Sequence, residues 1–245
     1  MKGKTLGVLG LMALIIAPCI LPTMNAANAA SQPLEVWKAV FNYMGTAAFA
    51  ISGALAASKQ QMNIFGGVVL GGVTALGGGT LRDIILGLHP VFWIADANYL
   101  STAGIAAAGA FLVSRYWRLP MSVFAYTDAL GVAAVTVIGF RVGFQETQMY
   151  SVGVLMGMTT GIAGGALRDL LSAKIPLIFR SAIYASASFC GAMLYALLLF
   201  LRVPDALVVA ISILGALSIG LMPLRRRLSL PVLELQRSAK KRVEA

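Results

Sequence analysis

Charge is what this chain has least of. Asp, Glu, Lys and Arg make up 11% of its 245 residues, less than half of the about 25% typical of a globular domain. So few charges cannot cover a water-facing surface. With 59% of the residues apolar, the solvent for most of that surface is lipid. A single histidine and two cysteines leave too few ligands for a zinc or iron–sulfur centre, so neither a metal nor a cofactor is expected. Nor do the cysteines form a staple, since Cys19 falls in an N-terminal leader and Cys190 in an apolar stretch. An enzyme is excluded because no Ser/His/Asp or metal-ligand set can be assembled around one histidine. Net charge is +10, yet nucleic acid is not the partner it implies. The 19 basic residues gather at segment ends and in the tail, where they orient a membrane protein.

The first thirty residues have a secretory layout: Lys2 and Lys4, an apolar run from Leu6 to Leu21, then small residues containing Ala27, Asn28 and Ala29. They read as a signal peptide cut after Ala29 or Ala30, with an uncleaved extra helix as the alternative. Downstream, apolar stretches close to the ~20 residues needed to span a bilayer recur between short polar breaks. Seven are expected: Val36 to Ala57, Ile64 to Leu86, Ala97 to Ser114, Met121 to Phe140, Met149 to Leu171, Ser181 to Leu201 and Asp205 to Met222. This gives an all-α membrane protein divided into a leader (1–30), a first three-helix repeat (31–114), a second, inverted one (115–204), a seventh helix (205–222) and a basic tail (223–245). Lys59, Arg115, Arg118, Lys174, Arg180 and the tail share one side. The other side has Lys38, Arg141 and Arg202 beside Glu35, Asp96, Glu146 and Asp205. Basic loops stay inside, so the mature N-terminus is expected outside and the C-terminus in the cytoplasm.

The repeat is visible at an offset of 86 residues, in a register that does not slip. Gly45 matches Gly131, Gly53 matches Gly139, Gly67 matches Gly153 and Gly71 matches Gly157. Gly78-Gly79 match Gly164-Gly165, Leu81-Arg82-Asp83 match Leu167-Arg168-Asp169, and Pro90 matches Pro176. Each repeat holds an odd number of spans, so the second copy lies upside down relative to the first. Inverted repeats place a solute pathway near the midplane, at their interface.

Within that frame Gly77, Gly78, Gly79, Gly164 and Gly165 interrupt the second span of each half. Consecutive glycines cost about 1 kcal/mol each in a helix relative to Ala. A kink or unwound turn lining a pathway is therefore expected there, with close helix packing as the alternative. Arg82, Asp83, Arg168 and Asp169 follow within apolar sequence, and a charge there costs at least ~2.5 kcal/mol without partners. Adjacent residues on a helix point about 100° apart, so partners are expected across helices rather than within each Arg-Asp pair. Asp128 is another buried acid, facing either Arg168 or a cation, and its counterpart in the first half is Asn42. Asn42, Thr46, Ser52, Thr74, Thr80, Thr127 and Thr160 offer further polar groups to a pathway, although such hydroxyls commonly bond their own helix. His89 reads as a loop residue, and Trp37, Trp93 and Trp117 as headgroup-level anchors. The tail from Arg225 to Arg242 has the length and charge to lie on anionic lipid.

These residues carry a resemblance. GTAAFAISGALAA from Gly45, GGGTLRD from Gly77 and GGALRD from Gly164 resemble the bacterial branch of the trimeric intracellular cation channel family, also catalogued under a glycine-transporter label. The likeness runs from about Val36 to Met222. It implies a homotrimer with a pore in each protomer, kinked by the glycines of spans two and five and bordered by spans one and four, passing potassium and sodium. This chain departs from the pattern at Ala163, where a third glycine could stand, and at Asn42, where an acid is expected. A passive monovalent cation channel is the leading reading, and a secondary transporter of glycine or another small neutral solute is the other. The orientation is checked directly: a cysteine near Ser31 is expected to react with an impermeant maleimide in intact cells, and one near Ala245 to stay unlabelled. Equal labelling of both would remove the charge-based topology.

Overall fold

A computed structural model of the chain describes residues 33–117, 120–180 and 182–222. The expected leader and the basic tail lie outside these residues. The described residues form helices joined by turns: α1 Pro33–Lys59, α2 Ile64–Leu86, α3 Phe92–Ala95, α4 Asn98–Tyr116, α5 Met121–Thr147, α6 Tyr150–Leu171, α7 Leu177–Arg180, α8 Ala182–Phe200 and α9 Asp205–Gly220. Seven of them fall on the seven apolar stretches of the sequence. Four stretches, Val40–Lys59, Ile64–Leu86, Ser122–Thr147 and Tyr150–Leu171, are long and apolar enough by themselves to cross a membrane, while Tyr184–Phe200 and Asp205–Gly220 are apolar but shorter.

The helix ends shift by one to three residues from the sequence reading at most boundaries, and two differences are larger. Helix α5 continues seven residues past Phe140 because nothing breaks it before Gln148, which takes a left-handed conformation at φ 57°. Arg141 therefore sits on a helix rather than in a loop, and pairs with Asp205 at the start of α9 at 3.3 Å. The short helices α3 and α7 were not expected, since four residues are too few to show a period. Each begins one or two residues after a proline, Pro90 and Pro176.

Helices α1, α2 and α4 pack on one another, as do α5, α6 and α8. The two groups meet where α1 lies on α5 and α2 on α6, and α9 covers α5 and α8. One core gathers around Phe49, Leu76, Ala107 and Phe111 and takes in Val132 and Val135 of α5, and the other gathers around Ala133, Phe140, Tyr195 and Ile213.

Glycine makes this packing possible. A Cβ on Gly53 would stand 2.7 Å from Gly71 Cα and 2.8 Å from the Leu70 carbonyl, and one on Gly139 would stand 2.6 Å from the Met156 carbonyl. These are equivalent contacts at the 86-residue offset. Gly71 lies against Ala107 and the Ala50 carbonyl, and Gly157 against Ala192 and the Thr136 carbonyl. For Ala107 and Ala192 the offset has become 85. The register thus slips by one residue after the prolines. The reason is visible in the turn: Asp83 accepts from the backbone nine residues on, at Phe92 N, whereas Asp169 accepts from eight residues on, at Leu177 N.

Between the halves the contacts are reciprocal. Gly78 faces the carbonyl of Thr160, and Gly164 faces the carbonyl of Thr74. Reciprocal contacts of this kind, i on j and j on i, are what a two-fold relation between two units produces. Both helices run without interruption through their glycines, so the unwound turn expected from the sequence is not formed. The absence of side chains is used for backbone approach instead, as small residues are at membrane helix crossings. Gly78→Ala is accordingly expected to destabilise the protein by about 1–3 kcal/mol, the cost of overpacking. Gly72 has no atom within 4 Å of its Cβ position, and Gly72→Ala is expected to stabilise by up to about 1 kcal/mol. Unfolding in detergent reads both, and equal effects would remove the crossing as a constraint.

Candidate functional site

The four buried charges of the Arg-Asp repeats lie one turn beyond the glycine crossing. Arg82 and Asp83 are 4% and 2% exposed, and Arg168 and Asp169 are 0% and 6% exposed. Neighbours on a helix point apart, but a guanidinium on its three-carbon stem reaches round to the next residue. Arg82 donates from Nε at 2.8 Å and from Nη2 at 2.6 Å to Asp83 Oδ1. Arg168 donates from Nε to Asp169 Oδ1 at 2.9 Å. The expectation that each Arg looks across helices instead of to its own Asp is thus overturned for Arg82 and half met for Arg168. The second oxygen of each carboxylate holds the start of a short helix, Asp83 Oδ2 accepting from Phe92 N at 2.8 Å and Asp169 Oδ2 from Leu177 N at 2.9 Å. Each Arg-Asp unit is therefore a neutral clip that fixes the turn after its helix.

Beyond the clips the halves diverge. Arg168 extends Nη1 to Ser52 Oγ at 2.7 Å and to Asp128 Oδ1, while Ser52 also donates to Asp128 at 2.8 Å. Of the two roles open to Asp128, pairing with Arg168 is the one seen. This knot joins α1, α5 and α6. Phe124 stacks on the Arg168 guanidinium at 4.8 Å and carries Lys59 Nζ at 4.6 Å. In the other half the corresponding position is Asn42, which donates to Tyr99 Oη at 3.2 Å. Phe92 lies 5.5 Å from the Arg82 guanidinium and meets Tyr99 edge-on at 5.0 Å. Tyr99 also stacks on Tyr43, whose hydroxyl donates to Asp96 at 2.6 Å.

A cavity of about 120 Å³ opens among these groups, bordered by Asn42, Thr46, Arg82, Phe92, Tyr99 and, at its floor, Phe49 and Thr160. It shares Asn42, Ile138 and Val142 with a wider one of about 280 Å³ that reaches Arg141 and Gln145. The two spaces run inward from the end where α1 begins. Phe49 is 1% exposed, covers Gly131 and touches the Cβ position of Gly164. It thus lines the smaller cavity next to the glycine crossing.

The remaining polar candidates are mostly occupied at home. Thr46, Thr74, Thr80, Thr127 and Thr160 each donate to a carbonyl one turn back on their own helix. Thr80 in addition accepts from Trp93 Nε1 at 3.0 Å, so Trp93 ties α3 to α2. Gly77 faces Leu167, Gly79 faces Phe92 and Gly165 faces the Tyr184 hydroxyl. Thr74 and Thr127 are not among the residues bordering either cavity. The sequence reading missed Tyr99, Tyr184, Phe92 and Phe49. The two tyrosines were discoverable, being paired at an offset of 85, but the one-residue slip hid them.

This geometry defines a protein that is all-helical in its described residues, with helices long and apolar enough to cross a membrane and two matched halves around buried ion pairs. Residues 39–115 and 125–199, one stretch in each half, match the family model described as Glycine transporter. The UPF0126 inner membrane protein YadS of Escherichia coli (strain K12) is 38% identical over 199 residues, covering 80% of this chain and 96% of YadS. The TRIC trimeric intracellular cation channel orthologue from Rhodobacter sphaeroides superposes with a TM-score of 0.74 at 31% identity, over 78% of this chain and 98% of the other. A second TRIC cation channel structure, one that addresses conductance, superposes with a TM-score of 0.73 at 32% identity, over 80% and 97%. The chain belongs to this family, the TRIC family that also carries the UPF0126 label.

The Arg168 knot makes a prediction that the other half calibrates. Arg168→Gln leaves Asp128 and Asp169 buried without their cation, and is expected to cost about 3–5 kcal/mol. Asp128→Asn leaves Arg168 clipped to Asp169, the arrangement already present around Arg82 and Asn42, and is expected to cost no more than about 1.5–3 kcal/mol, the worth of a hydrogen bond to a charged group. The double variant should be more stable than Arg168→Gln alone. Additive losses in unfolding experiments would show that the three residues do not act as one unit.

Proposed function

We propose that this protein is a cation channel of the inner membrane, a homotrimer with a pathway for potassium and sodium in each protomer. The observation that carries the reading is the cavity between the halves, which runs from the α1 end to the α2/α6 crossing and is bordered by α1, α2, α4, α5 and α6. The structural relatives that superpose at 31% and 32% identity are cation channels, and one is named as trimeric. In this reading the seven longer helices are spans, the halves are inverted in the bilayer, the N-terminal side faces out and the C-terminus faces the cytoplasm. The pathway follows the glycine crossing, Phe49 closes it, and glycine-permitted movement of α2 against α6 opens it. Thr46 and Thr160 border the space. The basic tail rests on anionic lipid.

A second reading has a specific observation behind it. A cavity bordered by helices of both halves is also what a secondary transporter of a small neutral solute presents, and the family model carries a transporter description. Purified protein in a planar bilayer separates the two. Unitary ohmic steps, with reversal potentials that follow the potassium and sodium gradients, are the expected result. Solute-dependent uptake into liposomes without unitary steps would replace the channel by the carrier.

A further inference from the structure

The two halves treat one position differently, and the difference leaves a binding site. In the second half the Arg168 guanidinium lies between two carboxylates, Asp169 on its own helix and Asp128 on α5. In the first half Arg82 has the corresponding Asp83, which takes Nε and Nη2. The residue corresponding to Asp128 is Asn42, and its amide is turned to Tyr99. In place of a second carboxylate there is a cavity of about 120 Å³ that Arg82 and Asn42 both border.

The charged groups on its walls are arginines that each hold an acid outside the lining: Arg82 borders this cavity and pairs with Asp83, and Arg141 borders the adjoining one of about 280 Å³ and pairs with Asp205 at 3.3 Å. A guanidinium 4% exposed is shielded from bulk water, and in such a setting a charge-assisted bond to an anion is stronger than at the surface. The planar guanidinium fork matches a carboxylate better than it matches a spherical ion. Asn42 and Tyr99 offer N–H and O–H groups beside it, while Phe92 and Ile138 supply apolar wall for a short carbon chain.

We propose that this cavity binds a small carboxylate, of acetate to glycine size, which gives Arg82 the second carboxylate that Asp128 gives Arg168. The proposal does not rest on conduction, because it is read out as binding to the protein without a current.

The test is thermal unfolding of the full chain in detergent, titrated with sodium acetate in exchange for sodium chloride at constant ionic strength, and in parallel with glycine. A saturable rise in Tm is expected with both, of roughly 5 °C or more at a hundredfold excess over Kd. Asn42→Asp places a carboxylate beside Arg82 as Asp128 stands beside Arg168, and is expected to weaken binding at least tenfold. Thr46→Leu fills the same space without adding charge and should do the same, which keeps the test valid should either variant fail to fold. Chloride is the ion exchanged, so a site that takes any anion gives no acetate shift, and that result overturns the proposal. A shift with glycine but not acetate overturns it as well, since recognition would then belong to the ammonium group. Unchanged affinity in a folded variant of either kind places the ligand elsewhere and is equally fatal.

Discussion

The structure depends on two helices being allowed to touch backbone to backbone. Gly78 meets the Thr160 carbonyl and Gly164 meets the Thr74 carbonyl, so α2 and α6 cross closer than any side chain permits. Lipid tails are as apolar as a leucine face, and helices inside a bilayer gain little from hiding apolar surface from one another. Close packing of small residues is what remains to hold them. The crossing also sets everything around it, because α1 and α5 lean on the same helices through Gly53 and Gly139. A side chain at the centre would push the two halves apart along their whole contact.

The Arg-Asp units follow from that geometry. One turn past the crossing, each helix carries a guanidinium and a carboxylate into an interior where an isolated charge is expensive. Folding the Arg back onto the next residue neutralises both, and the spare carboxylate oxygen satisfies a backbone N–H at the start of α3 or α7. A pair that looks like a liability in an apolar sequence thus closes the turn between the second and third long helices of each half. Desolvated ion pairs seldom add net stability over an apolar alternative, but removal of one partner is costly. Their effect here is positional: they fix where Phe92 and Leu177 begin their turns.

Matched halves do not make matched sides. Phe49 corresponds to Val135, Asn42 to Asp128 and Ser52 to Ile138 at the 86-residue offset. The larger ring plugs the centre, the added acid and hydroxyl knot Arg168 into α1 and α5, and the amide leaves open space beside Arg82. Among the described residues there is therefore a cavity beside Asn42 and Arg82, whereas the Arg168 guanidinium has Asp128 and Ser52 against it. That polarity comes from three positions rather than from the backbone.

The sequence by itself determined the all-helical class, the apolar stretches and the recurrence of one pattern 86 residues on, since these depend on composition, run length and spacing, all of which are local. It also picked out the glycines and the buried charges, because polar or side-chain-free residues in apolar runs need a reason to be there. What the glycines do was not legible: the same Gly77-Gly78-Gly79 is compatible with an unwound turn or a tight crossing, and the choice belongs to the Thr160 carbonyl on another helix. The partner of Arg82 was misjudged for a similar reason. The angle between neighbouring Cβ atoms says nothing of a long side chain's reach, and both arginines use that reach, Arg168 even with Asp128 across the gap. Tyr99, Phe92 and Phe49 looked like ordinary aromatic residues in an apolar chain. Tertiary packing made them the walls and floor of a cavity, because enclosure is set by which helices meet and no single segment contains that information.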